Sequence, residues 1–146
     1  MAQPVTLRFG KMQVLLGDGA EPEVFAAPCG FTQKSFSRSK ELNEVVVPDC
    51  DDPDAMAHTA RDARSLSATI SGSGVLAKSA YPIWKDAYES SESVNCKVVF
   101  DWGTPDTTTI TQRFHLSSFE ISADLGDRVQ ISVSMESDGA YTEVTA

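Results

Sequence analysis

The feature of this chain that most limits its possible folds is the alternation of apolar and polar residues along its C-terminal half. In VNCKVVFDW, residues 94–102, every even position from Val94 to Trp102 is apolar, whereas Asn95, Lys97 and Asp101 are polar. Because successive side chains of a β-strand point to opposite faces, this period of two predicts a strand with one buried face.

Two further C-terminal stretches, residues 107–122 and 127–136, have the same period. In the first, the apolar positions change parity between Leu116 and Phe119, which predicts a β-bulge or a bend near Ser117 and Ser118. In the second, four residues are expected to face inward: Val129, Ile131, Val133 and Met135. The turn signals GTPD (103–106) and DLGD (124–127) separate the three strands, so we expect an antiparallel meander.

Two strands are predicted further upstream. The first is KMQVLLG, residues 11–17, and the second lies in RSLSATISGSG, residues 64–74, where the alternation runs from Ser65 to Ser71. In the second, Leu66, Ala68 and Ile70 alternate with serine and threonine, so its exposed face is rich in hydroxyl groups. The GSG at 72–74 lacks the lysine of a phosphate-binding loop, and we expect its glycines to supply a bend.

One amphipathic helix is predicted over about residues 79–90. Its apolar residues recur three and four positions apart, at Ala80, Ile83, Trp84, Ala87 and Tyr88. Ser79 is the expected N-cap, and Pro82 fits because it lies in the first turn, where its missing N–H is no loss. We expect this helix to lie across one face of the sheet.

The segment from about 31 to 49 has a different character. It is polar and strand-compatible, has little to bury, and carries Lys34, Arg38 and Lys40 on one parity. Such a segment is either a mobile hairpin or one that another molecule completes.

Four aspartates, Asp49, Asp51, Asp52 and Asp54, follow this segment within six positions. A calcium loop is disfavoured because no glycine stands in the sixth place and no glutamate closes the loop. Asp52 or Asp54 can instead cap a short helix in the alanine-rich PDAMAHTARDA, residues 53–63, which would leave the other aspartates in a solvated acidic loop. A catalytic carboxylate pair and an assembly surface fit the same spacing.

No set of residues predicts catalysis or a cofactor. His58 and His115 lie far apart, and neither has a serine or cysteine nucleophile in a recognisable elbow. Trp84 and Trp102 are candidate stacking platforms for a sugar or a base, but core packing is favoured because each falls on the apolar face of its element. We therefore predict that the protein is not an enzyme and has no metal or cofactor.

Charge and cysteine usage narrow the class of protein. Twelve basic against 21 acidic residues give a net charge of −9, which disfavours a protein that grips phosphate backbones. An acidic wall instead lets a polyanion pass without sticking. Three scattered cysteines and no signal-like N-terminus favour reduced thiols in a cytoplasm, and no apolar run approaches the ~20 residues of a membrane span.

The order of these stretches resembles the major tail tube proteins of long-tailed phages and of phage-like gene transfer agents. The resemblance is carried by EVVVPDCDDPD after a basic hairpin, LSATISGSGVL, the tryptophan helix AYPIWKDAY, VNCKVVFDW and GDRVQISVSMESDG. It spans about residues 10 to 140.

This resemblance implies one tail-tube-like domain over residues 1–146. Its fold would be mainly β, an antiparallel sandwich or barrel-like core with one flanking helix and a long extended hairpin. Six copies would form a ring, and stacked rings would form the tube of a virion tail, assembled in the bacterial cytoplasm, through which DNA passes. The implied partners are other copies and the tape measure, baseplate and tail terminator proteins, with no membrane.

Under this interpretation the hairpin packs against the next ring. Its Lys34, Arg38 and Lys40 are then expected to meet acidic loops of a neighbour, with Asp49, Asp51, Asp52 and Asp54 as the candidate partners. The polar face of Ser65–Ser71 or Val129–Met135 is expected to line the channel. Two alternatives stay open at this stage: a tube protein of a contractile secretion system and a carbohydrate-binding β-sandwich that uses Trp84 or Trp102.

Overall fold

The computed structural model describes residues 3–17, 24–103 and 106–145. Within these ranges the chain forms seven strands, one α-helix and one 3-10 turn at Phe9–Lys11. The strands are β1 (Met12–Gly17), β2 (Phe25–Ala26), β3 (Phe31–Val47), β4 (His58–Val75), β5 (Val94–Gly103), β6 (Asp106–Ser122) and β7 (Gln130–Thr145), and the helix is α1 (Tyr81–Glu89). The mainly β fold with one flanking helix is therefore confirmed.

All strand pairs are antiparallel and belong to one sheet with the order β2-β1-β5-β6-β7-β4-β3. The meander β5-β6-β7 is confirmed. The bulge predicted near Ser117 and Ser118 is present as a register shift between Leu116 and Ser118. A hydrogen bond from Asp127 N to Asp124 O closes the DLGD turn, whereas GTPD lies partly outside the described residues.

The core lies on one face of this sheet, beneath α1. It is built from residues of β1, from alternate residues of β4 to β7 and from one side of the helix. Its buried members are Leu16, Ala68, Ile70, Ala80, Trp84, Ala87, Cys96, Val98, Ile110, Phe114, Ile131, Val133 and Met135. The Trp84 ring packs edge to face on Phe31, with centroids 5.5 Å apart. The helix thus fastens the start of β3 to the sheet.

The helix start differs slightly from the prediction. Ala80 occupies the N-cap and no side chain caps the helix, so Ser79 is not the cap. Pro82 does lie in the first turn. Tyr88 is exposed, although its spacing placed it on the apolar side.

The short helix predicted over 53–63 is wrong. Residues 52–55 form a turn, closed by a hydrogen bond from Ala55 N to Asp52 O, and β4 begins at His58. From there β4 pairs with β3 along the whole length of β3. Cross-strand hydrogen bonding therefore overrides the helix propensity of the alanines.

The GSG segment is also not a bend, since both glycines lie inside β4. A Cβ on Gly74 would stand 2.3 Å from Gly30 O and 2.6 Å from Phe31 Cα. Gly74 is therefore required because the backbone of the 30–31 segment crosses β4 too closely for any side chain.

Two residues expected to be inward are not buried. Trp102 is 43 % exposed at the end of β5, and its indole N–H donates to Thr108 Oγ1. Val129 is exposed because it precedes β7, which begins at Gln130. Periodicity identifies the face of a strand but not how far the covering layer reaches.

Candidate functional site

A band of hydroxyl side chains covers the face of the sheet opposite the core. Cross-strand partners share a face, and the pairing aligns the serines of β3 and β4 with those of β7. We call this set the hydroxyl face: Ser35, Ser37, Ser39, Ser67, Thr69, Ser71, Ser73, Ser132, Ser134 and, at its margins, Gln33, Ser118, Glu120 and Glu136.

Hydrogen bonds between neighbouring strands order the hydroxyl face. Ser35 Oγ lies 2.8 Å from Ser71 Oγ, and Ser39 Oγ lies 2.7 Å from Ser67 Oγ. The residues of the hydroxyl face include Glu120 and Glu136 but no lysine or arginine. Next to them on the same side of the sheet, His115 pairs with Glu136 and Arg113 pairs with Asp138. The hydroxyl face itself is thus a polar surface whose fixed charge is negative, with a mixed-charge border.

A mixed pair borders the hydroxyl face. His115 is the cross-strand partner of Glu136, and its Nε2 lies 3.4 Å from Asp138 Oδ2. Both side chains are about half exposed. The pair is therefore a surface contact, and no serine or cysteine is hydrogen-bonded to this histidine among the described residues.

The far part of the β3–β4 hairpin, residues 42–63, projects as an arm. All its residues are exposed, including the apolar Leu42, Val45, Val46 and Val47. One ion pair within the arm, Arg61 with Glu44 at 3.2 Å, and one at its base, Arg64 with Glu41 at 3.4 Å, are solvent-exposed and contribute little stability. An arm with apolar residues on both sides has nothing to cover it in a single chain.

The four aspartates lie at the tip of this arm. Asp49 Oδ1 accepts a hydrogen bond from Asp51 N at 2.9 Å, so one carboxylate shapes the turn. All four are exposed. Among the residues that the structure describes, no group of three His, Cys, Asp or Glu is placed to hold a metal ion.

The three basic residues of β3 occupy different settings. Lys34 donates from Nζ to Met12 O at 2.6 Å and stands 4.3 Å from the centroid of the Phe9 ring. Burial lowers the pKa of Lys34 below 10.5. Lys34 therefore serves a contact within its own chain.

Arg38 lies further along β3. Its guanidinium stands 3.9 Å from Glu143 Oε1 and 5.1 Å from the centroids of Phe36 and Tyr141. Lys40 is exposed. The structure does not bring these cations to the aspartates of the same chain, because the rest of β3 separates the two sets.

Sequence reasoning missed the partners of Lys34 and Arg38. Phe9, Met12, Tyr141 and Glu143 are all far from β3 in the chain, and none stands in a recognisable motif. The one available signal was YTEVT at 141–145, in which tyrosine, valine and two threonines favour a strand, and the structure assigns it to the end of β7.

Cysteine placement is uneven. Cys96 is buried in the core, whereas Cys29 and Cys50 are exposed free thiols. Cys50 lies among the aspartates of the arm tip. None of the helices that the structure describes is long and apolar enough to cross a membrane.

A family model described as "Phage tail tube protein" matches residues 7–143. A search among curated proteins finds no match. Among solved structures, the "tail of empty GTA particle computed with helical refinement, C6 symmetry" aligns with a TM-score of 0.76 at 17 % identity over 95 % of this chain and 99 % of that chain.

Two other assemblies contain a similar chain. The SPP1 tail tube gives a TM-score of 0.64 at 14 % identity, covering 96 % of this chain and 78 % of that chain. A chain in the anti-feeding prophage baseplate gives 0.66 at 12 % identity, covering 99 % and 97 %. At these identities the likeness concerns the fold.

Proposed function

Because this chain belongs to the phage tail tube protein family, we propose that six copies form a closed ring and that rings stack into a hollow tube through which DNA leaves the particle. The sixfold symmetry of the gene transfer agent tail supports the ring size. The partners we propose are further copies, a tape measure protein in the channel, and baseplate and terminator proteins at the two ends.

The open edges of the sheet support ring closure. β3 is an edge strand of 17 residues, and β2, the other edge, pairs only with Leu16 and Gly17 of β1 among the described residues. The start of β3 approaches β1 at Lys34 and Met12, so the rest of β3 is the free edge. Unpaired strand edges invite a further strand, and a head-to-tail contact between unlike edges closes into a ring. Main-chain hydrogen bonds then supply affinity, and side chains fix the register.

The observation that carries the DNA-conducting role is the hydroxyl face. Its ordered hydroxyl groups, its two glutamates and its lack of lysine and arginine make a surface on which a polyanion finds no phosphate-binding cation. The net charge of −9 on the chain also disfavours binding of a polyanion. We propose that this face lines the channel.

The arm suits contact between rings. Six residues from Leu42 to Val47 extend it by about 20 Å at ~3.3 Å per residue. Its valines offer apolar area, and its aspartates offer a charge pattern that sets the register between rings. Lys34, Arg38, Lys40 and the aspartates Asp49, Asp51, Asp52 and Asp54 remain the proposed contact residues, with Lys34 and Arg38 also serving contacts within the chain.

Electron microscopy of the concentrated protein tests the assembly. We expect rings and tubes with an open centre. A compact oligomer without a central channel, or a channel lined by lysine and arginine, would contradict the proposal.

The channel assignment has its own test. The double change Ser71→Lys and Ser134→Lys should make assembled tubes retain DNA at low salt and release it as salt is raised, whereas wild-type tubes should not retain it. Tyr88→Lys, on the exposed side of α1, is the matched control. Equal retention by both variants would place the hydroxyl face away from the channel.

This test also separates a DNA tube from the protein-conducting tube of a contractile system. Contractile injection systems contain chains of the same fold, so the fold does not decide the cargo. Loss of DNA delivery in particles carrying the lysine pair, with tail length unchanged, is expected only where DNA is the cargo.

A further inference from the structure

A cavity of about 160 Å³ opens where the start of β3 passes over β4 and α1. Phe31, Ile70, Trp84 and Val133 form its apolar wall, and Lys34 lies at its side. A cavity of about 150 Å³ with similar walls accommodates a benzene-sized group. This one has the size to take one large apolar side chain.

One wall of the cavity carries an unused donor. Trp84 is only 2 % exposed, and its indole N–H has no hydrogen-bond acceptor among the described residues. Buried donors are nearly always paired in native structures. The site is therefore incomplete in the single chain.

One basic residue, Lys34, lines the cavity, and Gly10 of the 3-10 turn is also part of the lining. Arg8 and Lys11 flank Gly10 in the chain but line a separate pocket, where Lys11 Nζ lies 3.8 Å from Asp101 Oδ2. The tip of the arm has the opposite charge, because residues 48–57 carry four aspartates and no lysine or arginine. The arm tip also presents Met56, which is 94 % exposed.

The tip cannot reach the cavity of its own chain. Phe31, at the cavity, and Val47, before the tip, are the two ends of β3, and a strand of this length spans about 50 Å. An arm tip that occupies the cavity must therefore come from another copy.

We propose that the cavity beside Trp84 receives Met56 from the arm tip of a copy in the adjacent ring, with the tip aspartates facing Lys34. A thioether side chain fills irregular gaps and packs well on aromatic rings such as Phe31 and Trp84. This inference rests on the proposed stacking of rings, and it identifies the residues that join one ring to the next.

Disulfide cross-linking between two differently marked copies tests the contact. Both copies carry Cys29→Ser and Cys50→Ser, one carries Met56→Cys, and the other carries Ala27→Cys at the exposed rim of the cavity. Cys96 stays in the core. The control pairs Ala27→Cys with Leu125→Cys, a fully exposed position in the β6–β7 turn.

We expect the Met56 pair to give cross-linked dimers in about tenfold higher yield than the control once tubes form, because assembly holds the two thiols at a high effective concentration. Tubes that form normally with no excess of this cross-link would overturn the inference and leave the proposed function standing. Absence of rings and tubes in every sample would overturn both.

Two single substitutions separate stacking from ring closure. Met56→Asp alters the tip, and Gly10→Trp closes the cavity mouth at a position where a Cβ meets nothing within 4 Å. Both should leave single rings but abolish tubes, and Leu125→Asp should change neither. Tubes of normal length in either of the first two variants would contradict the inference.

Discussion

Lys34 Nζ donates a 2.6 Å hydrogen bond to the carbonyl oxygen of Met12, which joins β3 to β1 although four strands stand between them in the sheet. Contact between strands so far apart in the order requires the sheet to curl until its two edges approach. This hydrogen bond therefore shows that the sheet curls into a barrel-like form.

Replacing Lys34 by methionine should destabilise the chain by about 1 kcal/mol, the usual net value of one hydrogen bond. The change also removes the contact with the Phe9 ring. Urea unfolding followed by circular dichroism measures the difference. Lys40→Met is the matched control, since Lys40 has the same parity on β3 but is exposed. Equal effects of the two changes would show that the Met12 contact contributes nothing.

The stability contributed by Lys34 should depend on pH. Burial lowers its pKa in the folded chain below the value of 10.5, so at a pH between these two values the unfolded chain binds more protons than the folded chain. Stability must then rise with pH in this window and level off above 10.5. The difference in free energy of unfolding between wild type and Lys34→Met, measured from pH 8 to 10.5, should grow with pH. A flat difference would contradict the burial of the amine.

The sequence anticipated elements whose signal is local. Alternation predicted β5, β6 and β7, and the change of parity at Leu116 and Phe119 located the bulge. It did not anticipate features that depend on distant pairing. The 53–63 segment has alanines typical of a helix, yet pairing with β3 makes most of it a strand. Likewise, the acidic cluster was visible, but its place at the tip of a long arm was not.

For the candidate site, too, local features could be predicted from the sequence and distant contacts could not. The hydroxyl groups of Ser65–Ser71 were predicted to share one exposed face, and β3 and β7 extend this face with their own serines. The lysine and arginine of β3 were visible, whereas their partners Met12 and Glu143 were not. The spacing of residues in the sequence does not predict contacts between residues more than 20 positions apart.

Gly74→Ala should destabilise the chain by about 1–3 kcal/mol, the usual cost of overpacking. The added methyl group would meet backbone atoms of Gly30 and Phe31, which cannot move aside as a flexible side chain can. Gly10→Ala is the control, because a Cβ there meets nothing within 4 Å. Thermal unfolding of both variants measures the difference, and an unchanged melting temperature in Gly74→Ala would mean that β3 does not cross β4 this closely.

Replacing Asp49, Asp51, Asp52 and Asp54 together by asparagine should leave the fold intact, because all four are exposed. At low salt the rings of the variant should stack less than those of wild type. At high salt the two proteins should stack alike, because salt screens the attraction between the aspartates and basic residues of the next ring. Light scattering against salt concentration measures this. Addition of calcium should not change the melting temperature of wild type, and a calcium-dependent rise would show that the cluster is a metal site after all.

Shortening the arm should separate folding from stacking. Leu42 and Ala63 are cross-strand partners, so residues 43–62 can be replaced by Asn-Gly, a two-residue turn that suits a β-hairpin. The removed residues are all exposed, and the buried part of β4 begins only at Ala68. The variant should therefore melt close to wild type and still form single rings. It should form no tubes, because the contact between rings has been removed.

Electron microscopy and analytical ultracentrifugation distinguish single rings from stacked tubes. Met56→Asp, which alters only the arm tip, is the single-residue comparison. Loss of rings together with tubes would mean that the arm also holds neighbours within a ring, and normal tubes would remove the arm from the stacking contact.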